Sequence, residues 1–210
     1  MKGNMMNWGL TIPQAILHAE KYNVDGQLIS RELDGSINST TYGASIKRSK
    51  RLANALTKLG VKIHDRVATI AWNNSRHFET YFAVSGMGAI LHTLNPRYSP
   101  DQLIYILNHA EDSVLIIDPT FIPLVESVQD KLDTVKTIII ASSKDAIPEN
   151  NLNNPLSYEE LINDELDEFD WPEMAEDDAA SLCYTSGTTG NPKGVLYSHR
   201  STILHAISIS

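Results

Sequence analysis

The chain has 210 residues, 42% of them hydrophobic, which is enough apolar material for a sizeable core and too much for a disordered segment. Its 17 basic and 26 acidic residues give a formal charge of -9, and an acidic surface repels nucleic-acid phosphates and anionic lipid headgroups. A single cysteine, Cys183, excludes an intrachain disulfide and a cysteine-rich metal site, and fits a reducing, cytoplasmic compartment.

Met1 to Leu10 carries Lys2 but no continuous apolar stretch, so it does not read as a secretory signal. The longest apolar runs, Val114–Ile117 and Ile138–Ala141, fall far short of the roughly 20 residues a transmembrane helix needs.

Taken in order, Thr11 is placed to cap a helix that carries Pro13 in its first turn and runs to about Tyr22. Leu28–Glu32 and Ile37–Thr40 flank Asp34-Gly35, a hairpin signal. From Tyr42 to Leu59, apolar residues recur at helical spacing, and Gly60 stands where such a helix stops. Val67–Ala71 reads as a strand, His77 to about Gly86 as a helix and Ala89–Thr93 as a strand. Ser99 with Gln102 forms a capping box with Pro100 at the first helical position. The helix it opens gives way to the strand Val114–Asp118. Phe121–Leu132 is expected to be one helix, Thr137–Ala141 another apolar strand, and Lys144 to Asp178 a polar surface excursion with a short helix capped by Ser157. The acidic run Asp164 to Asp178 is read as a solvated face. Ala179–Tyr184 is the last predicted strand. Repeated strand-helix-strand order implies an α/β fold, a parallel sheet flanked by helices on both faces.

That last strand leads into Thr185-Ser-Gly-Thr-Thr-Gly-Asn-Pro-Lys-Gly194, a segment dense in glycine and hydroxyl groups with one lysine. Glycines let successive backbone N–H groups converge on one concavity, hydroxyls add donors, and a lysine supplies a point charge, which together suit pyrophosphate. The bland alternative, a flexible surface turn, gives no reason for a Pro-Lys-Gly at fixed distance from the glycines. Other phosphate loops fail on spacing. Gly187 and Gly190 are separated by only two residues and Lys193 is followed by Gly194, not by Ser or Thr, so this is no Walker A loop. Gly86-Met-Gly88 begins a dinucleotide pattern, but Leu91 stands at the third glycine position and the segment follows a helix.

Tyr184 through Arg200 resembles the signature of the adenylate-forming, AMP-binding enzymes. Ala71-Trp-Asn-Asn74, Leu94-Asn-Pro-Arg97 and Asn108-His-Ala-Glu-Asp112 extend the resemblance to the medium- and long-chain fatty-acyl-CoA synthetase branch, with wording close to the 3-methylmercaptopropionyl-CoA ligases. The resemblance implies a carboxylic acid activated by ATP as an acyl-adenylate and passed to coenzyme A, with release of AMP and pyrophosphate. A fatty acid or 3-methylthiopropionate is the implied substrate. It also implies that Ser186, Gly187, Thr188, Thr189, Gly190 and Lys193 hold the β- and γ-phosphates, that Lys193 is catalytic, and that Thr185 offers its hydroxyl to Mg²⁺. A homodimer is implied because relatives often form one.

By the same resemblance, residues 1–210 form part of a large N-terminal AMP-binding domain, with the small C-terminal domain absent. The chain stops at Ser210 inside the apolar stretch Ile203 to Ile209, which predicts truncation and a fragment that does not turn over alone. The alternatives are an inactive phosphate-binding fragment or another adenylate-forming enzyme. His199 and Arg200 belong to the signature, yet a histidine there also suits a helix start with a satisfied ring. The remaining histidines lack metal-ligand spacing, Cys183 reads as a small buried residue, and Trp8, Trp72 and Trp171 as packing residues.

Overall fold

The computed structural model describes residues 1, 3–5, 7–185 and 191–209. Helix α1 (Ile12–Tyr22) leads into an antiparallel hairpin of β1 (Gln27–Arg31) and β2 (Ile37–Thr41), turned at Gly35 with φ +86°. Helix α2 (Tyr42–Lys58) follows at once, its first turn capped by the Thr41 hydroxyl, which accepts the Ala44 N–H; Gly60 at φ +89° ends it.

Then come β3 (Arg66–Ile70), α3 (Ser75–Gly86), β4 (Ile90–Thr93), α4 (Pro100–Ala110), β5 (Val114–Ile117), α5 (Ile122–Glu126), β6 (Thr137–Ile140), β7 (Leu156–Ser157), α6 (Tyr158–Asn163), β8 (Ala179–Thr185), β9 (Lys193–Ser198) and α7 (His199–Ile209). The main sheet has the order β7-β6-β5-β3-β4-β8-β9, parallel throughout except for β9, which runs antiparallel to β8.

The strands are apolar on both sides because both faces are covered. Val114, Ile116 and Ile139 pack with Leu52 and Leu56 of α2, Ala83 and Val84 of α3, and Tyr158 and Ile162 of α6. The alternate residues Leu115, Ile117, Ile138 and Ile140 pack on the opposite face with Leu103, Ile106 and Leu107 of α4 and Ile122 and Val125 of α5. A third cluster joins Ile12 and Ile16 of α1 to Ile46 and to Ala180 of β8. Among the described residues no helix is long and apolar enough to cross a membrane.

The capping box predicted for α4 is present in both directions, with Ser99 Oγ accepting from Gln102 N–H and Gln102 Oε1 accepting from Ser99 N–H. Several expectations are corrected. The helix expected over 121–132 is broken into a 3₁₀ turn (Pro119–Phe121), α5 and a second 3₁₀ turn (Gln129–Lys131). The backbone tightens at both ends, where the Phe121 N–H bonds to Asp118 O, the Val128 N–H to Val125 O and the Leu132 N–H to Gln129 O, while the buried Phe121, Val125, Val128 and Leu132 keep near-helical spacing.

Helix α3 begins at Ser75, before the expected His77, because Asn74 Oδ1 accepts the His77 N–H. Thr11 precedes α1 as expected but makes no side-chain cap bond. The excursion 144–178 is not purely superficial, since it adds β7 to the sheet and buries Leu152, Tyr158 and Ile162.

The rejected glycine pattern also has a packing explanation. A Cβ on Gly86 would lie 2.7 Å from Cζ3 of Trp171, and Gly88 sits at φ +86° beyond the end of α3. Trp171 is therefore a packing residue, whereas Trp8 and Trp72 are largely exposed.

Candidate functional site

Strands β8 and β9 form a hairpin whose open end carries the phosphate motif. The antiparallel register pairs Thr185 with Lys193 and Tyr184 with Gly194. Directly opposed residues project to the same face of an antiparallel pair, so the Thr185 hydroxyl and the Lys193 ammonium share one side, both exposed. The expected Ser186, Gly187, Thr188, Thr189 and Gly190 lie outside the described residues. Reading Lys193 as a loop residue is corrected: it opens β9, a strand the sequence reading did not anticipate. Gly194 is tightly neighboured, since a Cβ there would stand 3.2 Å from Cζ of Tyr184 and 3.1 Å from Leu182 Cδ1 and would press on those side chains.

The hairpin leaves the sheet beside the carboxyl ends of β3, β4 and β5, the edge at which open α/β sheets hold ligands. Chain segments at that edge are tied together by Asp118. Its Oδ2 accepts the Trp72 N–H at 2.6 Å and its Oδ1 accepts from Asn74 Nδ2 at 3.3 Å. Burial pushes the Asp118 carboxyl up, against the pull of these two donors. The exposed Trp72 ring leans on Phe121 with centroids 5.3 Å apart.

Behind β8 lies a polar cluster that sequence reasoning missed. His92 on β4 and Asp112 are both fully buried, with Nδ1 and Oδ2 2.7 Å apart. Burial raises the Asp112 carboxyl above its ordinary range, opposed by His92. The Tyr184 ring stands 5.2 Å from the His92 ring, and the Tyr184 hydroxyl lies 2.6 Å from Nδ1 of His109. Burial, then the Asp112 charge, pushes the Tyr184 phenol up to about 12, so it stays protonated at neutral pH. On the strand itself, the Tyr98 hydroxyl donates to the Tyr184 carbonyl at 2.8 Å. Cys183 Sγ pairs with Thr93 Oγ1 at 3.3 Å and is half-buried.

The histidine and arginine after β9 face the other way. His199 is fully buried; its Nδ1 accepts the Ile12 N–H at 3.3 Å, which places its ring proton on Nε2. Burial holds its pKa below the ordinary histidine value. Arg200 pairs with Glu176, whose second carboxylate oxygen accepts the Leu10 N–H at 2.8 Å. Both residues anchor the N-terminal segment to the β9–α7 junction, which agrees with the helix-start reading of His199, although only Nδ1 of its ring is satisfied and the buried Nε2 has no hydrogen-bond partner.

This architecture, a mostly parallel sheet whose strand β8 leads at its carboxyl edge into a hydroxyl- and glycine-rich sequence, agrees with the comparison to known proteins. The chain belongs to the family of AMP-binding enzymes, which matches it over residues 18–210. It is 46% identical, over 99% of its length, to a 3-methylmercaptopropionyl-CoA ligase of Ruegeria lacuscaerulensis, and 43% identical, also over 99%, to a medium-chain-fatty-acid--CoA ligase of Ectopseudomonas oleovorans. The chain spans 39% and 38% of the lengths of these relatives. In fold it is similar to a putative long-chain-fatty-acid CoA ligase of Rhodopseudomonas palustris, with a TM-score of 0.78 and 25% identity over 95% of this chain and 47% of that one. An anthranilate CoA ligase, solved with anthranoyl-AMP, gives a TM-score of 0.79 at 24% identity over 95% of this chain and 37% of its own, a likeness of fold alone.

Proposed function

We propose that the chain carries the phosphate-handling part of an AMP-forming acid–thiol ligase, converting a carboxylic acid, ATP and CoA to acyl-CoA, AMP and pyrophosphate through an acyl-adenylate. The observation that carries this reading is the pairing of Thr185 with Lys193 at the end of the β8–β9 hairpin, on either side of the glycine- and hydroxyl-rich sequence. A carboxylate oxygen is a poor leaving group at neutral pH, and attack on the α-phosphorus of ATP replaces it with AMP. Negative charge then develops on the departing pyrophosphate, and fixed donors with a lysine aimed at that charge lower the barrier. In this reading Ser186, Gly187, Thr188, Thr189, Gly190 and Lys193 hold the β- and γ-phosphates.

Mg²⁺, when bound with ATP, neutralises part of the phosphate charge. The exposed Thr185 hydroxyl fits it, being a hard oxygen donor, and Mg²⁺ usually takes few protein oxygens while retaining waters and phosphate oxygens. The acid substrate is a fatty acid or 3-methylthiopropionate, a choice supported by identities above 40% to ligases named for each kind. We further propose that residues 1–210 belong to one domain and that the protein acts in the cytoplasm.

A second reading, phosphate binding without turnover by these 210 residues alone, is favoured by the limited share of the relatives' length that they span. Incubating the complete reading frame and, beside it, the 210-residue chain with ATP, Mg²⁺, CoA and acids from 3-methylthiopropionate to palmitate tests both. Acid-dependent AMP with the matching thioester supports the ligase. ADP, or no AMP with any acid while ATP still binds, rejects it in favour of the second reading.

A further inference from the structure

The parallel ladder between β4 and β8 ends at Thr93–Cys183, one residue short of Tyr184. At that point a side chain takes over from the strand, as the Tyr98 hydroxyl donates to the Tyr184 carbonyl at 2.8 Å. Tyr98 is itself held from both sides. Asn95 Oδ1 accepts the Arg97 N–H at 3.0 Å and Asn95 O accepts the Tyr98 N–H at 3.2 Å, closing a turn. The next residue, Ser99, is locked by the capping box of α4. The phenol therefore projects from a turn with little freedom of its own. Across the strand, the Tyr184 hydroxyl meets His109 from the last turn of α4, with Tyr105 stacked on the His109 ring at 5.2 Å. One helix and the turn before it thus grip both the main chain and the side chain of the residue that precedes Thr185.

We propose that Tyr98 is a positioning residue for the phosphate site: by holding the Tyr184 carbonyl where β4 has ended, it fixes the Thr185–Lys193 pair at the hairpin mouth. This inference rests on the reading of that pair as a phosphate site. Without the Tyr98 hydroxyl the Tyr184 main chain loses its tie to the sheet side and is held there only through its side chain at His109 and His92, so the hairpin mouth can swing relative to the sheet. A ligand whose oxygens must meet several donors at once loses affinity when those donors are not held in place, since their ordering then falls on the binding step. The Tyr98 ring packs against the core cluster that holds Leu103 and Ile106 of α4, and Tyr98→Phe keeps that ring, so loss of the hydroxyl alone falls on phosphate affinity more than on folding.

Tyr98→Phe removes the hydroxyl alone, and His109→Leu removes the partner of the Tyr184 phenol. Calorimetry with magnesium pyrophosphate is expected to give a 3- to 10-fold weaker dissociation constant for Tyr98→Phe and a smaller loss for His109→Leu, at unchanged melting temperatures. In the turnover assay Tyr98→Phe raises KM for MgATP by a similar factor and leaves KM for the acid and for CoA unmoved. Because pyrophosphate binding needs no turnover, the outcomes separate. Equal pyrophosphate affinity in wild type and both variants overturns the positioning role, whether or not AMP forms. Weakened pyrophosphate binding in a protein that makes no AMP supports the positioning role and rejects the ligase. No pyrophosphate affinity in the wild type overturns both.

Discussion

The backbone N–H of Ile12, first residue of α1, donates to the ring nitrogen of His199, first residue of α7, at 3.3 Å across 187 positions of sequence. The ring performs the capping that the adjacent Thr11 side chain does not. His199 is buried, and burial depresses its pKa below the usual histidine value. A depressed folded-state pKa favours the neutral ring, so its contribution to stability is present above the unfolded histidine value of about 6.5 and is lost as pH falls through the folded value. Protonated Nδ1 also cannot accept the Ile12 N–H.

His199→Ala is expected to cost about 1–3 kcal/mol near pH 7.5, because a buried donor loses its acceptor. The gap between variant and wild type narrows toward pH 5. Thermal melts of both proteins at the two pH values check this. His77, also depressed by burial, is common to both and cancels in the difference.

Gly86 ends α3 under the six-membered ring of Trp171. An alanine there gains helix propensity of about 1 kcal/mol but forces the Trp171 ring and Ile16 Cδ1 apart from a Cβ that would stand 2.7 Å and 3.1 Å from them. We expect Gly86→Ala to be net destabilising by about 1–2 kcal/mol. Combined with Trp171→Leu it should cost less than the sum of the two single changes, as chemical denaturation of the four proteins in the cycle would report.

Glu79 is 2% exposed and is held by Arg48 Nε at 2.8 Å and by the Tyr158 hydroxyl at 2.8 Å. Burial raises its carboxyl, and Arg48 opposes that rise. Arg48→Met leaves the carboxylate without its cation and leaves Glu159 with Arg76 alone, at an expected cost of about 3–5 kcal/mol at neutral pH. With Arg48 gone the folded pKa of Glu79 rises further above its unfolded value. The folded state then favours the protonated acid, so the variant is least impaired at acid pH and loses stability as pH rises through that value. Urea titrations from pH 4.5 to 8 test the slope.

Lys193→Ala is expected to lower AMP formation by about 10²–10³-fold in kcat, the usual cost of one donor aimed at developing charge. Lys193→Arg keeps the charge on a planar fork and recovers part of it. A Lys193→Ala protein forming AMP at the wild-type rate removes this residue from the chemistry.

The sequence yields much of this architecture where a signal is local. The Ser99–Gln102 box, Gly60 and the alternation of apolar strands with amphipathic helices each appear within a dozen residues, and the structure reproduces them. Strand β9 escapes because Lys193 to Ser198 follows directly on the phosphate motif, and Lys-Gly reads as the end of that turn. The broken helix at 121–132 escapes because Phe121, Val125, Val128 and Leu132 keep helical spacing although the backbone between them is bonded partly in 3₁₀ turns. Thr185 and Lys193 stand within one motif, but their pairing across a hairpin depends on β9. Tyr98, His109 and His92 join Tyr184 only because β4 lies beside β8, a neighbour set by strand order and visible in no local pattern. The quoted Asn108-His-Ala-Glu-Asp112 segment contained His109 and Asp112 without revealing what they face.

The neighbour relation between β4 and β8 also sets a schedule for biosynthesis. Thr93 and Cys183 are 90 residues apart in the chain. At typical synthesis rates β4 leaves the ribosome roughly 5–20 s before the strand that covers its open side. During that interval Ile90 to Thr93, buried or half-buried in the finished sheet, presents unpaired amides and carbonyls along an apolar edge, the kind of surface on which chains join one another. The edge of β4 thus stays open until β8 is made, and the arrival of β8 covers it in the same step that sets up the hairpin.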